Sequence, residues 1–96
     1  MLKKRQNKPK TPYIEGIIIP AKWDDKGTVT GVTIQTFDEK VYLVEHTKTG
    51  DELLGFIRKK VKVSGKIRER LDGNTLINVH RFEIIDKELT NHLDYI

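Results

Sequence analysis

The chain has 96 residues, which is one small domain with a single core rather than two. Charged residues make up 33% and apolar residues 36%, enough for a barrel that buries one face of each strand and too apolar for a chain disordered throughout. The absence of cysteine excludes a disulfide framework and a thiolate metal site, so stability must come from packing and backbone pairing. The formal net charge of +4 is unevenly placed. Lys3, Lys4, Arg5, Lys8 and Lys10 supply +5 before the first acidic residue, and the remaining 13 basic and 14 acidic residues leave a net of −1. The basicity therefore belongs to the N-terminal stretch and the rest is nearly neutral.

Residues 1–12, MLKKRQNKPKTP, combine charge with two prolines and no periodicity, and are expected to form a disordered basic arm. Such an arm is either simply solvated or an auxiliary contact for phosphates. A charged start resembles a secretory signal, but Lys8, Pro9 and Lys10 stand where an apolar core should follow. The longest apolar run, Ile17 to Ile19, is far short of the roughly 20 residues of a membrane helix. A cytoplasmic protein with no membrane contact is expected.

Order should begin near Tyr13. The β-branched run from Tyr13 to Ala21 predicts a first strand, with a bend or bulge at Gly16 and Pro20 at an edge or end. Trp23-Asp24-Asp25-Lys26-Gly27 predicts the first hairpin loop. Thr28 to Phe37 predicts a second strand, with Val32 and Ile34 facing inward and Thr33 and Gln35 outward. A turn at Phe37-Asp38-Glu39-Lys40 leads to a third strand over Val41 to His46. Its facing is open, because Val41 and Leu43 on one side are as apolar as Tyr42 and Val44 on the other.

Between Thr47 and Lys60 the period changes. Thr49-Gly50-Asp51-Glu52 fits a capping box, Leu53, Leu54 and Ile57 form a helical stripe, and Arg58, Lys59 and Lys60 suit the carbonyl end of the dipole. A two-turn helix is expected, weakened by about 1 kcal/mol at Gly55 relative to alanine. From Arg58 to Asp86 the pattern is a β-hairpin. Val61, Val63, Gly65 and Ile67 alternate with Lys62, Ser64, Lys66 and Arg68, and Asp72-Gly73 supplies the reversal. Ile77 and Val79 resume the alternation, which then changes phase to Phe82 and Ile84, so a bulge or strand end is expected near His80-Arg81. Residues 87–96, with Leu89, Leu93, Tyr95 and Ile96, predict a tail or a short docked helix.

Three strands, a short helix and two strands are the element order of the oligonucleotide/oligosaccharide-binding (OB) fold, an all-β, five-stranded Greek-key barrel spanning residues 13–86. An SH3-like barrel also has five short strands but places no capped helix between the third and fourth. The segments Lys60-Val61-Lys62-Val63-Ser64-Gly65-Lys66-Ile67, Leu76-Ile77-Asn78-Val79 and Phe82-Glu83-Ile84 resemble the closing strands of small nucleic-acid-binding OB domains, of the anticodon-binding and replication protein A types. That resemblance implies a non-catalytic binding module without a cofactor, whose partner is single-stranded nucleic acid. It implies a site over strands two and three and the adjoining loops. Mapped onto this sequence, the site comprises Trp23, Lys26, Thr33, Gln35, Tyr42, Arg68, Arg70 and Asn74, with Lys3, Lys4, Arg5, Lys8 and Lys10 as auxiliary phosphate contacts.

Each candidate has a plainer reading. Trp23 can cover the barrel mouth as a packing residue, and Lys62, Lys66, Arg68 and Arg70 can form a solvated row. Glu69 and Asp72 dilute the positive field near the second loop. The alternative function is a protein-interaction module that docks through Trp23, the edge of the second strand or the C-terminal segment. His46, His80 and His92 are too widely spaced for a metal site, and Asp24-Asp25 suits a turn better than a calcium loop. No nucleophile elbow, phosphate-binding glycine loop or dinucleotide fingerprint occurs.

Overall fold

The computed structural model describes residues 13–85. The basic arm at 1–12 and the C-terminal segment from 86 onward lie outside the described residues. Five strands form: β1 (Tyr13–Trp23), β2 (Val29–Thr36), β3 (Val41–Val44), β4 (Lys60–Glu69) and β5 (Thr75–Ile85). One short helix, α1 (Lys48–Glu52), and a 3-10 turn (Leu53–Phe56) lie between β3 and β4. The strands close into a ring in the order β1-β2-β3-β5-β4, with β4 returning to β1.

The ring closes because β1 is long enough to pair twice. Tyr13–Ile17 runs antiparallel to β4, and Gly16–Trp23 runs antiparallel to β2. Gly16 belongs to both pairings, and a Cβ there would collide with the Gln35 carbonyl. The sequence placed a bend or bulge at Gly16. The irregularity instead falls between Pro20 and Trp23, and Gly16 serves the close approach of two neighbouring backbones. Past Ile18, whose N–H and C=O bond to Lys59 and Arg58, β1 leaves β4, so the missing N–H of Pro20 faces an unpaired side.

The core follows the period of two. Ile18, Val32, Ile34, Val44, Val61, Val63, Ile77 and Val79 point into the ring, and Leu53 enters from the 3-10 turn, fully buried. Burial of each such side chain contributes about 1.5–3 kcal/mol. In β4 the expected alternation holds at Val61 and Val63. It continues at Gly65, which is buried, and Ile67, which packs against the core, while the pairing register shifts between Ser64, opposite Arg81, and Gly65, opposite Val79, leaving His80 of β5 as the extra residue of a bulge. The expected phase break near His80-Arg81 is therefore a bulge within one continuous β5.

The segment between β3 and β4 differs in detail from expectation. The cap is Thr47, whose hydroxyl accepts from the Gly50 N–H at 2.9 Å, and not Thr49. After five α-helical residues the chain tightens to 3-10 geometry at Leu53, with Gly55 inside that turn. Arg58, Lys59 and Lys60 do not sit in the last turn. Arg58 reverses the chain at φ 73°, and Lys60 begins β4. Leu54 and Ile57 pack against the core as the stripe implied, while the Phe56 ring lies 6.0 Å from that of Phe82.

Candidate nucleic-acid interface

Because Val32 and Ile34 point inward, Gly31, Thr33 and Gln35 present the outer side of β2. Register places Leu43 of β3 beside Thr33, and Leu43 in turn beside Leu76 of β5. Gly31, Leu43 and Leu76 thus floor a cleft of about 220 Å³ on the outside of the ring, and Lys22, Glu45, His46, Arg68 and Arg70 stand around it. The cleft lies between the end of β1 and the far end of the β4–β5 hairpin.

The two arginines of this cleft are partnered. The Arg68 guanidinium donates to both oxygens of Glu45, Nε to Oε2 at 3.0 Å and Nη2 to Oε1 at 3.3 Å. The Arg68 hydrogen bond and charge hold the Glu45 carboxyl below its ordinary pKa, against the opposing effect of burial, and Glu45 raises that of Arg68. Arg70 Nη2 lies 3.1 Å from Asp72 Oδ2. The Asp72 carboxyl is also lowered, first by the Asn74 backbone N–H that it accepts and then by Arg70. His46 Nδ1 lies 3.0 Å from Asp51 Oδ1 at the start of α1. Lys22 has no ionic partner among the described residues, and its side chain lies over Gly31.

The residues expected from sequence divide into three groups. Arg68 and Arg70 line the cleft, and Thr33 and Gln35 lie on the same outer side of β2. Trp23, Lys26 and Asn74 are exposed near its ends but do not line it. Trp23 is the last residue of β1, paired with Val29, and not part of the loop. Asp24 organises that loop, its Oδ1 accepting from the N–H groups of Lys26 and Thr28. Asn74 closes the β4–β5 turn, where its carbonyl accepts from Arg70 and its N–H donates to Asp72. Tyr42 is displaced from the expected face: it points inward with Val44, packs against the core and lines a second cavity at the opposite end of the ring. The auxiliary lysines and Arg5 lie outside the described residues.

Sequence reasoning missed Lys22, Leu43, Glu45 and His46. Lys22 was hidden by a strand that runs two residues further than its β-branched run, and Glu45 carries no signal until Arg68 is brought to it across 23 residues of chain. Among the described residues, no three His, Asp or Glu side chains gather to hold a metal ion, and no helix is long and apolar enough to cross a membrane. The chain matches no protein-family model and no curated protein.

Proposed function

We propose that the chain is a non-catalytic OB-fold module that binds single-stranded nucleic acid across the outer side of β2 and β3. The order β1-β2-β3-β5-β4, with its helix between β3 and β4, supports the fold reading. The observation that carries the function is the cleft: an apolar floor of Leu43 and Leu76 within reach of Lys22, Arg68 and Arg70. Bases need an apolar surface and phosphates need cations, and a single strand presents both at once. The arm's Lys3, Lys4, Arg5, Lys8 and Lys10 add sequence-independent attraction.

A second reading, a protein-interaction module, has one specific observation in its favour. Arg68 and Arg70 are already satisfied by Glu45 and Asp72, as expected of a nearly neutral surface that meets another protein. The edge of β2 is a poor route for such a partner, since β2 pairs with β1 on one side and β3 on the other.

Titration of isotope-labelled protein with oligo-dT and mixed RNA oligomers at two salt concentrations separates these readings. Nucleic-acid binding gives amide shifts at Lys22, Leu43 and Arg70 that weaken steeply with salt. Shifts confined to residues 3–10 would mean attraction by the arm alone, and an unperturbed spectrum would leave the protein-partner reading.

A further inference from the structure

We propose that the same nucleic-acid strand has a second contact, an aromatic and lysine subsite at the opposite end of the ring built from Tyr13, Phe37, Lys60 and Lys62. This rests on the nucleic-acid reading above and lengthens the ligand's path beyond the cleft.

Tyr13 and Phe37 are 65% and 69% exposed, and each carries an ammonium on its face: Lys62 Nζ lies 4.6 Å from the Tyr13 ring centroid and Lys60 Nζ lies 5.1 Å from that of Phe37. Register explains the grouping. Ile17 pairs with both Gln35 and Lys60, and Glu15 pairs with Lys62, so the outer side of the first half of β1 is flanked by the end of β2 and the start of β4. Beside the rings a cavity of about 360 Å³ opens, lined by Tyr13, Phe37, Lys40 and Tyr42, with Glu15 and Asp38 at its acidic side. The Asp38 carboxyl is held below its ordinary pKa, chiefly by the Thr36 hydroxyl.

The pairing of ring and ammonium is the chemistry of a base with its phosphate. A base can take the ring face, and the flexible lysine stem lets the displaced ammonium follow the phosphate, so a cation–π contact is exchanged for a stack and an ionic contact. Local charge is mixed, since Lys40, Lys60 and Lys62 stand among Glu15, Asp38, Glu39 and Glu83, the last paired with Lys62, so the preference for a polyanion rests on the two ammoniums held on the ring faces. The two contacts also lie on one track. From Gly31 in the cleft to Phe37 is about 20 Å of outer β2 at about 3.3 Å per residue, through polar Thr33 and Gln35, within the span of roughly 4–16 nucleotides that one such barrel holds.

The test uses the full chain and fluorescein-labelled dT12. Phe37→Ala is expected to weaken binding roughly tenfold, the loss of one stacked base, while Phe37→Tyr retains it. Independently of any variant, the ring signals of Tyr13 and Phe37 should shift together with the amides of Leu43 and Arg70 when dT12 is added. Shifts at Leu43 and Arg70 with stationary rings would overturn the subsite and leave the cleft reading standing; no shift at either would remove both. Cross-relaxation between the Phe37 ring and residues 86–96 in the free protein would assign this surface to the chain's own C-terminal segment and overturn the proposal.

Discussion

Arg68 and Glu45 show how one contact decides what a cleft can do. A cation is legible in the sequence, but its partner lies 23 residues away, and only ring closure brings the carboxylate to it. The Glu45 carboxyl is held below its ordinary value by that guanidinium, so the folded pKa lies below the unfolded one. The sign follows: the pair's contribution to stability is complete above about pH 4.3, the ordinary glutamate value, and is lost as pH falls through the lowered folded value. Arg68→Ala should move the Glu45 titration midpoint upward, read from its side-chain carboxyl carbon signal. An unmoved midpoint would mean that the pair does not persist in solution. Tyr42 illustrates the opposite limit of legibility. Val41-Tyr42-Leu43-Val44 is apolar on both faces, so nothing local decides which pair turns inward. The ring chose Tyr42 and Val44, which sent Leu43 to the cleft floor.

Among the elements, the β4–β5 hairpin was the most readable, because alternation, the Asp72-Gly73 turn and the phase break at His80 are each local signals of geometry that the structure keeps. The segment between β3 and β4 was less so. Two threonines there could cap, and Thr49 with Glu52 makes the fuller box on paper. Thr47 takes the role because Gly50 can then sit at the third helical position against the Glu45 carbonyl, where a Cβ would collide. That difference is measurable. Thr47→Ala should cost about 1 kcal/mol in urea unfolding and Thr49→Ala no more than about 0.5 kcal/mol. Leu53→Ala, which opens a cavity under the ring, should cost about 2–5 kcal/mol. Equal losses at the two threonines would mean that the cap is shared, and a larger loss at Thr49 would restore the box read from sequence.

At the scale of the whole molecule, the element order read along the chain pointed to a closed five-stranded barrel, and the sheet does close into a ring, but no local pattern says which side chains that closure brings together. The cleft depended on that juxtaposition, and so only Arg68 and Arg70 of its lining were foreseen. The seam is uneven. β4 and β5 pair antiparallel along ten residue pairs, whereas β3 and β5 meet in parallel only at Leu43 with Leu76 and Val44 with Ile77, extended by the Glu45 N–H to the Ile77 carbonyl at 3.0 Å. Parallel pairing is slightly weaker per residue, and so short a ladder loses little when it opens. The Glu45 amide should therefore exchange with solvent faster than those of Val61 and Val63, in the part of β4 paired on both sides. Leu43 and Leu76 face one another across this seam and floor the cleft, so an oligonucleotide seated there binds only the closed ring. It should slow exchange at Glu45 by the factor that mass action assigns to ligand binding the native state alone. Exchange at Glu45 as slow as at Val61 in the free protein would mean that the ring opens elsewhere. Exchange that is fast yet unchanged by saturating oligonucleotide would mean that the ligand does not bridge β3 and β5, and the cleft would lose its claim to the bases.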